Sequence, residues 1–331
     1  MMRVALVGAT GNVGRQIAAL LLQRQVVGPE QLEFYASPGS AGTICSVEGQ
    51  DFKVQAATPA CFQGKTLTIF ATESDVSARL VPEALKAGNY VVDSSSHYRL
   101  DAGVPLIIPP VNLDQVCLAQ KLYAHANCLA SPLSTVLAPI ARRFSIIRVQ
   151  VTTYQSTSGA GYAAMQACLA ETQHYLAGKE YAQDAFPRPI AFNVIPQVGG
   201  FLETGETFEE YKIQEEVKKV LGADLRITAT AVRVPVMVGH SMAVTLQLGA
   251  AFTLEEVQEA LEEAPFVTLS PEEYHTPREV VGSDQVFVGR LRLDPSLAHG
   301  LHLWTCSDNL RRGAATDAVE IAERILGFPL F

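Results

Sequence analysis

Arg3-Val4-Ala5-Leu6-Val7-Gly8-Ala9-Thr10-Gly11-Asn12-Val13-Gly14 is the stretch that decides the architecture. Arg3 to Val7 is a short apolar strand, Gly8 to Gly14 a glycine-rich turn, and Val13 to about Gln23 carries a helical pattern. Strand, turn and helix in that order form the setting in which backbone N–H groups and a helix N-terminus cradle a pyrophosphate. The spacing is G-x-x-G-x-x-G, a variant of the dinucleotide fingerprint. Its place directly after a first strand favours a dinucleotide site over a plain turn.

Working outward, Leu32–Ala36 reads as a second strand that ends in Ser37-Pro38-Gly39-Ser40. In a doubly wound sheet that position meets the adenosine ribose. A strand from Leu67 to Thr72, a helix from about Val76 to Ala87, a closing Gly88 and a strand at Tyr90–Asp93 continue the β-α-β alternation. The fold class expected is therefore α/β, with a Rossmann-like parallel sheet. Arg99 follows the Asp93 strand end, where an anion would be met. Leu106 to Asn112 reads as an extended, proline-bounded segment, and a domain boundary is placed near Asn127.

Composition bounds the function. The 331 residues, 48% of them hydrophobic, suffice for two ordinary domains. A net charge of −9 argues against nucleic acid and against an anionic membrane surface as partners. No apolar run approaches the ~20 residues needed to span a bilayer, and no signal peptide is expected at the N-terminus. Six cysteines without paired spacing suggest neither a metal site nor a disulfide framework, and fit a reducing cytoplasm.

Beyond Asn127, Cys128 stands ahead of an apolar helical run, Leu133 to Ile140. A cysteine at a helix N-terminus lies in the positive end of the helix dipole, which favours the thiolate that attacks carbonyls. Burial statistics alone would make it a small core residue. Ile146 to Tyr154 is an alternating strand running into Gln155-Ser156-Thr157-Ser158-Gly159-Ala160-Gly161, a tight loop where a ligand could approach the backbone. Glu209 and Lys212, three apart in a charged helix, share a face. Arg233 and His240 sit on either side of a Pro and a Gly, and a break in the strand there could turn both into one site.

Together these pieces resemble the aspartate-semialdehyde dehydrogenase family over essentially the whole chain. The matching stretches are Gly8 to Gly14, Val92 to Arg99, Asn127-Cys128, Thr153 to Gly161, Asn193 to Gln197, Glu209 to Lys212, Arg233 to Ser241 and Ser307 to Ala315. Their order and spacing carry the resemblance more than any one of them. It implies a dinucleotide-binding domain of residues 1–127 and 307–331, and an α+β catalytic and dimerisation domain of residues 128–306. It also implies a homodimer or a dimer of dimers. The reaction implied is reversible: L-aspartate 4-semialdehyde, phosphate and NADP are exchanged for 4-phospho-L-aspartate and NADPH, on the way to lysine, threonine and methionine.

Carried over residue by residue, Cys128 would be the nucleophile, His240 the acid/base and Gln155 the residue that orients the intermediate. Arg233 would hold the substrate carboxylate, Glu209 the amine, and Arg99 and Lys212 the phosphate, with Asn127 beside the substrate. Gly8, Thr10, Gly11, Asn12, Val13, Ser37, Ser40, Ser158, Gly159 and Glu320 would meet the cofactor. Leu129, Ala130 and Pro132 follow the cysteine where the family usually has Ser or Thr, and Pro110 replaces an acidic residue. Gly39 stands where an Arg commonly meets the 2′-phosphate, which makes NAD an alternative to NADP. Asp317 and Glu320 replace the usual Asn and Gln, the latter near the nicotinamide. Two other readings follow: a paralogue that binds without catalysing, and a related acyl-phosphate reductase such as N-acetyl-glutamyl-phosphate reductase.

Overall fold

The computed structural model describes residues 2–182, 184–222 and 224–328. It divides into two compact units, Met1–Asn127 with Gly313–Phe331, and Cys128–Arg312.

The first unit is built on a seven-stranded sheet. Its elements are β1 (Val4–Val7), α1 (Asn12–Gln23), β2 (Leu32–Ala36), a small hairpin of β3 (Ile44–Val47) and β4 (Gln50–Lys53), β5 (Gln55–Ala56) and β6 (Leu67–Phe70). Then come α2 (Ser74–Lys86), β7 (Tyr90–Asp93), β8 (Leu106–Ile107), the one-turn helix α3 (Pro109–Asn112) and β9 (Leu122–His125). The sheet order is β5-β2-β1-β6-β7-β9-β8, and every neighbouring pair is parallel. Continuous apolar strands such as Val4–Val7 are what a sheet covered on both faces requires, and all four residues are buried. The order reverses at β1, whose neighbours are β2 and β6, so the crevice at the carboxyl ends of these strands is the switch point of the sheet.

One expectation for this unit is corrected. The segment Leu106–Asn112 is extended only to Ile108, after which a helical turn begins with Pro109 as its first residue. Pro109 brings a pre-set φ to that position, and the Asn112 side chain closes the turn by accepting from Ile108 N–H at 2.8 Å.

The second unit holds α4 (Ala130–Arg143), β10 (Ile146–Gln155), α5 (Tyr162–Leu176), α6 (Phe208–Leu221), β11 (Arg226–Arg233) and β12 (His240–Leu248). It continues with α7 (Leu254–Glu262), β13 (Val267–Ser270), the short α8 (Pro277–Val280), β14 (Val286–Asp294) and β15 (Gly300–Ser307). Its six-stranded sheet is mixed, in the order β11-β10-β12-β15-β14-β13. β10 alternates cleanly: Val149, Val151, Thr153 and Gln155 are buried, whereas Arg148, Gln150 and Tyr154 face outward. That is the period-2 pattern of a sheet with one packed face.

Residues 307–312 belong with this second unit, because Ser307 ends β15 paired to His240. The chain rejoins the first unit only at Gly313, through a π-helical turn, Arg311–Ala315, that leads into α9 (Thr316–Leu326). Ala315, Ala318, Val319, Ile321, Ala322 and Ile325 put α9 into the core shared with β1 and α1.

Candidate active site

In the first unit, two glycines are demanded by backbone approach. A Cβ on Gly8, whose φ is +85°, would lie 2.1 Å from the Ala71 carbonyl oxygen, and one on Gly14 would lie 2.2 Å from the Gly8 carbonyl oxygen. The turn is thus pressed between β6 and α1, leaving its N–H groups at the strand ends. A cavity of about 310 Å³ opens there. It is lined by Gly8, Thr10 and Gly11 after β1, by Ser37 and Pro38 after β2, and by Thr72, Glu73 and Arg79 at and after the end of β6. Size, position and an N-terminal helix end fit the adenylate half of a dinucleotide.

Not every expected cofactor residue joins that lining. Asn12 and Val13 open α1 just beyond it, and Ser40 closes the 3-10 turn of Pro38–Ser40 outside it. Glu320 is placed elsewhere: its carboxylate is 3.8 Å from the guanidinium of Arg24, the C-cap residue of α1. A helix of 12 residues is roughly 18 Å long, so Glu320 sits by the end of α1 remote from the glycine turn. A buried acid needs a counter-charge, and Arg24 supplies one to Glu320 and Glu323 together. Arg79 was not anticipated. Val76, Arg79 and Leu80 line the cavity at helical spacing, which is the signal that could have found it.

Arg99 is buried in the loop after β7 and donates to the Ser94 carbonyl at 2.6 Å. Asp93 organises that loop by accepting from the Ser77 and Ser95 hydroxyls, both at 2.6 Å. Asn127 is buried where the chain leaves the first unit for the second.

In the second unit, strand register gathers the rest. Gln155 is opposite Arg233 in the β10–β11 pair, Tyr154 is opposite Ser241 in β10–β12, and His240 is opposite Ser307 in β12–β15. Residues far apart in the chain therefore end at one edge of the sheet. Regular pairing stops at Arg233 as the proline-glycine break foretold: Thr157 N–H and Ser158 N–H donate to the Val236 and Met237 carbonyls at 2.7 and 3.0 Å. Gly239, at φ +96°, turns the chain back into β12.

Glu209 is the acidic centre of this cluster. One carboxylate oxygen accepts from Gln155 Nε2 at 3.0 Å and the other from Lys212 Nζ at 2.6 Å. The capping box between Thr207 and Glu210 fixes the start of α6 and hence the approach of Glu209. Gln155 is therefore a buried anchor for Glu209, its own oxygen accepting from the Thr153 hydroxyl at 3.3 Å. Arg233 donates to the Ser156 carbonyl at 2.6 Å. Burial lowers its pKa, and the charges of Glu209 and Cys128 oppose that shift.

His240 is buried, with Nδ1 accepting from Ser156 N–H at 3.0 Å and Nε2 without a partner among the described residues. Burial and then Arg233 push its pKa down to about 3, with Glu209 acting in the opposite sense. The ring is neutral at physiological pH, so the cation coupled to Cys128 is Arg233 and not His240. Gly159 closes over both: a Cβ there would stand 3.0 Å from Arg233 Nη1 and 3.1 Å from His240 Nε2. Ser158 and Gly159, expected at the cofactor, are thus built into the histidine's surroundings.

Cys128 is partly exposed and lies two residues before α4, which starts at Ala130 with Leu129 at the cap position. That start is three residues earlier than the apolar pattern indicated, since Pro132 in the first turn needs no N–H partner. The helix dipole acts on the sulfur from beyond the cap rather than from within the first turn.

Residues 3–119 match the semialdehyde dehydrogenase NAD binding domain, and residues 137–312 match the semialdehyde dehydrogenase dimerisation domain. An aspartate-semialdehyde dehydrogenase of Bacillus subtilis is 39% identical over 98% of this chain and 97% of its own length. One from Aquifex aeolicus is 38% identical over 98% of each. The chain belongs to the aspartate-semialdehyde dehydrogenase family. Among solved structures, aspartate semialdehyde dehydrogenase II of Vibrio cholerae matches with a TM-score of 0.94 at 35% identity, covering 99% of both chains. The same enzyme complexed with ASA matches with a TM-score of 0.93 over 98% and 97% of the two chains. As in this family, a parallel seven-stranded NAD-binding sheet is joined to a mixed-sheet dimerisation domain. The chain is an NAD(P)-binding oxidoreductase, and no helix among the described residues is long and apolar enough to cross a membrane.

Proposed function

We propose that this chain reduces 4-phospho-L-aspartate to L-aspartate 4-semialdehyde, reversibly, by way of a thioester on Cys128. The observation that carries the reading is the convergence of Gln155, Glu209, Arg233 and His240 around one sheet edge, with Cys128 in the electrostatic field of Arg233. In the reductive direction the Cys128 thiolate attacks the acyl carbon and phosphate leaves with the C–O bonding pair, giving the thioester. A nicotinamide dinucleotide held by the glycine turn would supply the hydride that reduces this thioester. The resulting alkoxide then re-forms its C=O bond as the C–S pair returns to Cys128, releasing the aldehyde. His240 Nε2 meets the reacting oxygen as its hydrogen-bond partner.

The remaining roles follow from charge and from the family resemblance. Arg233 presents a planar fork suited to the substrate carboxylate. Glu209 takes the substrate amine and Lys212 a phosphate oxygen, their mutual contact being what a substrate carrying both charges would replace. Arg99 is assigned to phosphate and Asn127 to the substrate.

The coenzyme proposed is NADP. An acid that would take the ribose 2′-hydroxyl of NAD is missing after β2, where Ala36-Ser37-Pro38 stands, and Arg79 reaches the same cavity. Arg79 is exposed and makes no ion pair among the described residues, so its charge is available to a 2′-phosphate. The outward face of β10 and the exposed Tyr162, Tyr175, Phe192 and Phe201 of the second unit support a homodimer. The cytoplasm is the proposed location.

The test is formation of NADPH or NADH from L-aspartate semialdehyde, with and without phosphate. Phosphate-dependent NADPH formation is the expected outcome. Folded protein that forms neither coenzyme product would favour a binding paralogue, and preference for an N-acetyl-glutamyl substrate would favour the related reductase.

A further inference from the structure

Asn309 lies two residues past the end of β15 and has so far been given no role. It is buried, and its side-chain oxygen is within reach of three donors: the Ser156 and Ser158 hydroxyls, each at 3.0 Å, and Gly239 N–H at 2.8 Å. These donors belong to the two segments that hold His240, namely the residue preceding it and the loop that packs on its ring.

The Ser156 hydroxyl, 3.0 Å from both Asn309 Oδ1 and His240 Nδ1, can point its proton to either. The Ser156 backbone N–H cannot reverse its role: it donates, at 3.0 Å, into Nδ1. Nδ1 must then present a lone pair, and a neutral imidazole with Nδ1 bare carries its proton on Nε2. Nε2 is the ring atom that faces Gly159 and has no partner among the described residues.

We propose that Asn309 is a positioning residue for His240, holding the 156–159 loop and Gly239 so that the neutral ring presents Nε2–H, rather than a bare Nε2, to the reacting oxygen. The inference rests on the function proposed above and makes it more specific. In the reductive direction the alkoxide expels the thiolate without taking up a proton: its electron pair re-forms C=O while the C–S pair leaves with sulfur. A donor that stays neutral therefore stabilises the developing oxyanion throughout, as neutral imidazoles do elsewhere. The charges facing the ring come from Arg233 on β11 and Glu209 on α6, and Glu209 is already engaged by Lys212 and Gln155. The Gly239 backbone also acts on the ring in the sense that favours its protonated form, but burial and Arg233 outweigh it, and Ser156 N–H occupies the Nδ1 lone pair.

The experiment is ¹⁵N NMR of the histidine-labelled full chain between pH 5.5 and 8.5, with His240→Gln identifying the His240 signals, beside pH profiles of kcat. The expected wild-type result is a ring protonated on Nε2 and bare at Nδ1 across this range. Asn309→Asp places a carboxylate against the network and should bring ring protonation into the range, giving kcat a new acid limb while KM stays within about twofold. Asn309→Ala should lower kcat by roughly 10- to 100-fold through loss of alignment. If that variant fails to fold, Ser158→Ala removes one of the three donors and should lower kcat less, again with KM held. A wild-type ring protonated on Nδ1, or titrating within the range, overturns the proposal. So does Asn309→Asp with tautomer and pH profile unchanged. The NMR readout needs no turnover, so absence of dehydrogenase activity with the Nε2–H form present would strike the proposed function and leave the positioning intact.

Discussion

The glycine turn and the histidine cluster solve the problem of placing polar groups in opposite ways. At the turn, what matters is backbone: Gly8 and Gly14 let a strand end and a helix start approach closely, and few side chains take part. Both glycines lie within seven residues of sequence. At the cluster, what matters is side chains, brought from Gln155, Glu209, Arg233, His240 and Asn309 by the register of four strands and one helix cap. A turn of this kind fails when its backbone is displaced. A cluster of this kind can lose a single atom's function and keep its fold.

The sharpest way to expose that contrast is Cys128→Ala. The side chain is partly exposed and stands outside α4, so stability should move by no more than about 1 kcal/mol. Turnover should fall by roughly 10⁴-fold or more, because no other group can form the thioester. Thermal unfolding and steady-state kinetics on the same preparation check both halves, and retained turnover would remove Cys128 from the mechanism.

Gly14→Ala should show the reverse profile. Its Cβ meets backbone, not a movable side chain, 2.2 Å from the Gly8 carbonyl oxygen, so α1 or the turn must shift. Overpacking of this kind costs about 1–3 kcal/mol, and the helix start proposed to meet the pyrophosphate moves with it. Coenzyme affinity, read by titration of intrinsic fluorescence, should weaken by at least about tenfold for NADP and NAD alike. An unchanged affinity and melting point would mean that the turn tolerates a side chain and is looser than its geometry indicates.

These contrasts explain what could be read from the chain alone. The first sheet was legible because each of its signals is local: apolar runs, a glycine turn, the left-handed Gly88 after α2. The break between Arg233 and His240 was legible for the same reason. Less legible was anything fixed by a remote partner. The start of α4 moved to Ala130 because packing of the whole helix overrides the apolar pattern that begins at Leu133. Glu320 sits beside Arg24 because a buried acid goes where its counter-charge is, and that charge lies 296 residues away. Asn309 gave no sign of its three donors, which come from two segments about 70 and 150 residues upstream. Arg79 carries a local signal, its helical spacing with Val76 and Leu80.

Arg79 tests whether the turn's cavity discriminates by side chain after all. Arg79→Ala should weaken NADP binding by roughly 5- to 10-fold, the scale of one charge-assisted contact at an exposed position, and leave NAD binding within about twofold. The ratio of the two dissociation constants, measured at low and high salt, is the informative quantity, since a charge contact weakens as ionic strength rises. Equal loss for both coenzymes would place Arg79 on the pyrophosphate instead of the 2′-phosphate.

The last test comes from the cluster and concerns folding, not turnover. His240 is held neutral in the folded chain, with a pKa near 3 against an ordinary value of 6.5. Between those values the unfolded chain binds a proton that the folded chain refuses, so νU exceeds νN and stability rises with pH. The contribution is complete above about pH 6.5 and is lost progressively as pH falls toward 3, with a limiting slope of about 1.4 kcal/mol per pH unit from this one group. His240→Gln abolishes that titration while leaving a polar side chain of similar reach. Denaturant unfolding at pH 7.5, 6.5, 5.5 and 4.5 should therefore show a shallower decline for the variant, although it begins lower through loss of the bond from Ser156 N–H. Parallel declines for the two proteins would mean that His240 takes up its proton in the folded state. The neutral ring on which the cluster depends would then be wrong, whatever the fate of the glycine turn.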